Sequence, residues 1–250
     1  MARLARAFER WSYAATRISS ISPQMCARLV AAGVVPGRVI EFRNWTDIDT
    51  VQPLIGPSPY RAEFGITTLY VALYSGNIGN KQGIEILIEV ARLLARRGDL
   101  TFVIAGEGAL LAQLVAAAHG LDNVRFETLQ PRERLIELLG LATLHLLPQL
   151  AGAADLVLPS KLTNMLASGR PVVATAGAGT GLAHECDGCG IVTEPGDATA
   201  MATAIETLLD DPEARTRYGA AARLRAEQRR SRVAILHNFE RALLDCVRMD

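Results

Sequence analysis

From Thr68 onward, short apolar runs alternate with longer helical stretches, and that alternation leaves few folds open. The runs are LYVALYS, FVIAG, VRFE, LATLHLLP, PVVAT and a last one from Gly190 to Thr193. Helices are expected between them, at about Gln82 to Arg97, Leu110 to His119, Arg132 to Leu139 and Lys161 to Ser168. Beyond Pro195-Gly196-Asp197 the pattern is helical, at about Ala198 to Leu209, Pro212 to Gln228 and Val233 to Val247. Such a βαβαβ series closes as a parallel sheet with helices on both faces, because its crossovers are right-handed. The expected fold class is α/β, a doubly wound parallel sheet whose ligands bind beyond the carboxyl ends of the strands.

Residues 1 to 67 follow a different pattern: a helix (about Arg3 to Ala15), a strand (RISSIS), a helix (Pro23 to Ala32), a strand (RVIEF), then a Pro-rich connector from Pro53 to Pro59. The stretch is too short for a Rossmann-like domain of its own and has the form of the tail of one. The division expected is a remnant over 1–67 and a complete Rossmann-like domain over 68–250. Arg3, Arg6 and Arg10 stand beside Leu4, Phe8 and Trp11 on the first helix. That face suits a protein core with solvated arginines, and docking on anionic lipid is the alternative.

Composition excludes several classes. A formal net charge of zero, with pI near 6.9, gives no electrostatic footprint for nucleic acid. No apolar run reaches the roughly 18 residues of a membrane span, and no signal-peptide core opens the chain, so the reading is cytoplasmic. Of the four cysteines, Cys186 and Cys189 form one Cys-x-x-Cys in a loop rich in Gly and Asp. Without a second pair or a nearby histidine they read as free loop thiols rather than zinc ligands. Asp47-Ile48-Asp49 sits in the connector and reads as turn chemistry, and no Asp-x-Asp metal motif occurs at a strand end. No metal or cofactor is expected.

Of the 26 basic residues only two are lysines, Lys81 and Lys161, and each follows an expected strand where a helix begins. A helix N-terminus offers unpaired N–H groups and partial positive charge, so a compact ammonium there suits a diphosphate. The first loop reads Ser75-Gly76-Asn77-Ile78-Gly79-Asn80-Lys81-Gln82-Gly83. It matches neither G-x-G-x-x-G nor G-x-x-x-x-G-K-[ST], which disfavours a nicotinamide dinucleotide or an ATP phosphate site and sets an oxidoreductase aside. The second loop ends Leu158-Pro159-Ser160-Lys161-Leu162-Thr163-Asn164, then closes at Gly169 before Pro171. Ser160 is placed to cap the helix, and Lys161 and Asn164, three apart, share a face and can address one ligand. Taken singly, either loop would also serve as a plain connector.

Together SGNIGNKQG, FVIAGEG, LPSKLTNMLASGRPVVAT and GIVTEPGD resemble the C-terminal, donor-binding domain of GT-B glycosyltransferases of family 4. Within it they are most similar to bacterial exopolysaccharide enzymes of the colanic acid type, some of which transfer fucose or N-acetylfucosamine. The resemblance runs from about Ser20 to the end, with the segment up to Asp49 similar to the close of that family's N-terminal domain and its crossover. It implies an acceptor-binding domain ahead of this point, of which residues 1–67 would be the remnant.

What the resemblance implies about the site falls on particular positions. Lys81 matches the lysine that contacts the donor diphosphate, and Gly76, Gly79 and Asn80 belong to the loop approaching the donor. Asn77 replaces a family arginine, whose charge Lys161 would supply. Asn164 stands where a glutamate holds the ribose, and an amide can still donate to and accept from a diol. Asp155 is the nearest candidate for the sugar-binding acid, and the base is contacted around Gln130 and Pro131. The implied activity is a retaining, metal-independent glycosyl transfer from a nucleotide-sugar to a lipid-linked saccharide, with peripheral contact at the inner membrane face. The alternative is a truncated, non-catalytic nucleotide-sugar-binding subunit that needs a partner acceptor domain.

Overall fold

The structure, a computed structural model, describes residues 11, 13, 15–80, 82–151 and 158–247, with no side-chain description for Val247. Lys81, Asp155 and nearly all of the helix expected over Arg3 to Ala15 lie outside these residues.

The main sheet has six parallel strands: β3 (Tyr70–Ser75), β4 (Leu100–Ala105), β5 (Val124–Glu127), β6 (Leu144–Leu147), β7 (Val172–Thr175) and β8 (Gly190–Thr193). Their spatial order is β5-β4-β3-β6-β7-β8, so the winding reverses between β3 and β6. Every residue of β4, β6 and β7 is buried, as expected for strands covered on both faces, whereas β8 is only half-buried at its edge. The doubly wound parallel sheet expected from the alternation is therefore present.

On one face Ala72, Tyr74, Phe102, Ile104, Leu144 and Leu146 pack with α3 (Ile86–Leu93) and α8 (Ala198–Asp210). On the other face Leu147, Val172 and Ala174 pack against α6 (Lys161–Ala167) and α9 (Pro212–Arg229). The remaining crossovers are α4 (Leu111–Ala117) and α5 (Leu135–Leu141). The long helices carry their own start signals. Asp197 accepts from the Ala200 amide at 2.8 Å, and Asp211 accepts from that of Ala214 at 2.8 Å, with Pro212 opening α9.

Nearer the start, β1 (Ile18–Ser20) and β2 (Val39–Glu41) pair in parallel across α1 (Pro23–Ala31), matching the expected strand, helix and strand. The connector then runs along the main sheet and gains a short helix, α2 (Tyr60–Glu63), that the Pro-rich composition did not announce. The last helix, α10 (Arg232–Val247), returns to this part of the chain, stacking Phe239 on Phe42 with ring centroids 4.0 Å apart.

Two expectations need correction. Helix α7 (Gly181–Cys186) occupies what reads in sequence as a Gly-rich loop, started by Thr180, whose hydroxyl accepts from the Ala183 amide at 3.3 Å. Cys186 ends that helix, and both it and Cys189 are fully buried in the apolar core, so they are core side chains rather than loop thiols. Burial pushes both thiols above their ordinary pKa.

Candidate functional site

A doubly wound sheet leaves a crevice where its winding reverses, here beyond the carboxyl ends of β3 and β6. Two loops rise there, the one after β3 that begins Gly76-Asn77-Ile78-Gly79 and the one that enters α6 at Lys161. Tertiary contacts bring them together. The Lys161 Nζ lies 3.3 Å from where a Cβ on Gly76 would stand, and Gly76 has φ +130°.

Lys161 is held from below by Tyr74, the next-to-last residue of β3. Its ammonium donates to the Tyr74 hydroxyl at 2.8 Å and lies 3.9 Å from the centre of that ring. The same hydroxyl donates to the Asn77 carbonyl at 2.6 Å, so one tyrosine ties the lysine to the loop above it. Tyr74 is fully buried, and burial raises its pKa, which keeps the hydroxyl protonated as the donor. Burial pushes the Lys161 ammonium down to about 8, and among the described residues no carboxylate opposes the shift. A cation held in low dielectric is a strong attractor for an incoming anion.

The loop itself is pinned by a neighbour. The Gly76 amide donates to the Ala105 carbonyl at 2.9 Å, and the Ile78 amide to that of Glu107 at 2.8 Å. The loop after β4 comes so close that a Cβ on Gly106 would stand 1.9 Å from the Gly76 carbonyl oxygen. Gly106→Ala is expected to cost about 1 to 3 kcal/mol by overpacking and to weaken any ligand held at the Gly76 turn. Thermal unfolding and ligand titration check this, with Gly98→Ala, whose Cβ meets nothing within 4 Å, as the neutral control.

Asn164 turns elsewhere. Its Oδ1 accepts from the Thr46 hydroxyl at 2.6 Å, and both line a cleft of about 440 Å³ with Trp45, Asp47, Arg132 and Arg232. Lys161 and Asn164 thus share a short helix but meet different partners, one on β3 and the other on the connector. Asp47 accepts from the amides of Asp49 and Thr50 and pairs with Arg232 at 3.0 Å, the turn chemistry expected of this segment. The Thr50 amide bond is the largest cause holding the Asp47 carboxyl below its ordinary pKa.

The other expected site residues are placed as follows. Ser160 does not cap α6 with its side chain: its backbone is already helical, and its carbonyl accepts the Thr163 hydroxyl at 2.8 Å. Gln130 folds onto its own loop, donating to the Thr128 carbonyl at 2.8 Å. Asn80 is exposed, and Gly79 is confined between the side chains of Asn77 and Gln82. Tyr74 and Thr46 were not singled out in the sequence, and Gly106 stood there only within the motif FVIAGEG. Tyr74 was the most findable, as the one polar-tipped aromatic near the carboxyl end of the first strand.

Residues 59–225 match the family model described as glycosyl transferases group 1. The chain belongs to this family. It is 38% identical over 248 residues to a putative colanic acid biosynthesis glycosyl transferase, WcaI, of Escherichia coli, across 96% of this chain and 60% of that protein. It is 35% identical over 161 residues to an alpha-D-kanosaminyltransferase of Streptomyces kanamyceticus, across 63% of this chain and 41% of that one. The chain thus spans about 60% of the length of its E. coli relative. Among solved structures, Anabaena Alr3699/HepE in complex with UDP superposes with a TM-score of 0.79 at 20% identity, over 92% of this chain and 64% of that chain. That likeness shows the GT-B fold. Among the described residues of this group 1 glycosyltransferase chain, no helix is long and apolar enough to cross a membrane.

Proposed function

We propose that this chain forms the donor-binding part of a glycosyltransferase that moves a sugar from a nucleotide-sugar to a lipid-linked saccharide in surface polysaccharide synthesis. The observation that carries the reading is the half-buried Lys161 ammonium, held by Tyr74 beneath the Gly76 turn where the sheet reverses. Transfer leaves a nucleoside diphosphate, and a fixed cation stabilises the charge that develops as it departs.

Lys81 would supply the second cation, an assignment that rests on the family position alone. The cleft around Asn164 suits the ribose and base, with Thr46 fixing the amide and the loop at Gln130 bordering the base. Asp155 remains the candidate for holding the sugar. In this reading the transfer is metal-independent and retaining, as the family 4 resemblance implies, and the donor sugar is of the hexose type, with fucose derivatives among the candidates. The enzyme would work in the cytoplasm, in peripheral contact with the inner face of the membrane.

A calorimetric panel of UDP, GDP and dTDP sugars tests this reading, repeated with Lys81→Ala. The expected result is binding of one nucleotide class, weakened by about 1.5 to 3 kcal/mol in the variant as a charge-assisted contact is lost. Absence of binding across the panel would refute the donor site. Transfer to a lipid-linked acceptor by the purified chain would exclude the binding-only alternative.

A further inference from the structure

A cleft lies at the opposite edge of the sheet from the donor crevice, at the amino ends of the strands. Its volume is about 700 Å³, and it is floored by Thr143 and Pro171, the residues just before β6 and β7. Three arginines line it, Arg61 from α2, Arg170 from the turn after α6 and Arg215 from α9, and the lining includes no acidic side chain.

That imbalance is unusual in a chain with 26 basic and 26 acidic residues. Arg43, Arg97, Arg134, Arg223 and Arg230 all stand within ion-pair distance of carboxylates. Among the described residues the cleft arginines form no ion pair: they meet carbonyls and, for Arg215, the face of Tyr70 at 5.2 Å. Arg61 donates to the Thr68 carbonyl, and Arg215 donates to the Leu208 carbonyl at 2.7 Å. The Arg170 Nε is buried with no hydrogen-bond partner among the described residues. Burial lowers the Arg170 pKa, and no described carboxylate offsets the cost. Three half-buried guanidinium groups around one concavity leave a positive potential that solvent screens poorly.

We propose that this cleft is a second binding site, independent of the donor crevice, for a small molecule carrying a phosphate monoester. Planar guanidinium forks match phosphate oxygens in pairs, and a dianion answers three cations better than a single carboxylate does. The volume falls in the range of small-molecule sites and exceeds what inorganic phosphate alone would fill. Thr143, whose hydroxyl accepts from the Val71 amide, and Thr216, whose hydroxyl donates to the Pro212 carbonyl, add the remaining hydroxyl capacity to the wall for the polar body of such a ligand.

Titration of the chain with glycerol 3-phosphate, with plain glycerol as the control, tests the site. A parallel arm measures co-sedimentation with phosphatidylcholine vesicles containing phosphatidic acid, which presents the same monoester on a lipid. Glycerol 3-phosphate is expected to bind and glycerol not, with Arg61→Gln and Arg215→Gln each weakening binding at least about tenfold. Lys161→Met, at the other edge of the sheet, should leave that binding unchanged. Vesicle binding with the same arginine dependence would place the monoester on a lipid headgroup, and binding of the soluble ligand alone would place it on a metabolite. The site is overturned if neither form binds, if the arginine variants bind as tightly as the parent, or if Lys161→Met abolishes binding. Arg170→Gln, checked for folding by its melting curve, repeats the test at the residue with the unpartnered Nε.

Discussion

Lys161→Met is expected to weaken nucleoside diphosphate binding by about 1.5 to 3 kcal/mol, roughly 10- to 150-fold, because it removes the buried ammonium and keeps an apolar stem of similar length. The effect should depend on pH. Burial holds this ammonium at about 8, below its ordinary 10.5, so the cation that attracts the diphosphate is lost as pH rises through about 8. Calorimetry across pH 6 to 10 should therefore show affinity falling above about pH 8 in the parent, a fall that Lys161→Met lacks. Stability moves the other way. Between the two values the unfolded chain binds the extra proton, so this group makes the fold less stable below about pH 8 and relieves that cost as pH rises toward 10.5. The variant should also remove that cost. Tyr74→Phe makes a milder test, since it keeps the ring beneath the ammonium and deletes the hydroxyl that joins Lys161 to the Asn77 carbonyl.

Glu185→Ala is expected to damage the fold severely. Glu185 on α7 is 7% exposed and pairs at 2.6 Å with Arg230, which is 1% exposed at the junction of α9 and α10. Arg43 reaches the same carboxylate at 3.3 Å, so one acid ties α7, the final helices and the segment after β2. Removing it strands a guanidinium that cannot reach water, a loss of about 3 to 5 kcal/mol. For a chain of this size that corresponds to a melting point lower by roughly 6 to 20 °C. The paired change Glu185→Met with Arg230→Met should recover much of the loss, because it removes both charges together. Scanning calorimetry of the single and double variants decides the matter. A single variant that melts with the parent would show that the pair carries no net weight.

The sheet was legible because its signal is local. Runs such as FVIAG and PVVAT are almost wholly apolar, as fully covered strands are, and the long helices announce themselves through Asp197 and Asp211. Helix α7 was not legible, since its six residues begin at a glycine and follow a Gly-rich stretch that reads as loop. Ser160 misled for a related reason. It sits at a capping position by spacing, yet the chain enters α6 with Ser160 already helical and its side chain outside capping geometry. The two loops that meet at the crevice were singled out from glycine and lysine placement, and the structure brings Lys161 against the Gly76 turn. Arg223 shows the limit of such reading: it donates to the carbonyls of Ile48, Val51 and Ala167, contacts more than 170 residues away for the first two.

By itself the sequence determined the parallel α/β sheet, the edge that carries the Gly76 and Lys161 loops, and the family, because periodicity, turn residues and motifs are written in consecutive positions. Only the tertiary structure decided which groups meet across that edge: Lys161 over Tyr74, Thr46 on Asn164, Gly106 against the Gly76 carbonyl, and three arginines around one cleft at the far edge. Each of these joins segments set side by side by strand order and helix packing, and the burial and electrostatic consequences follow from that proximity rather than from any local pattern of residues.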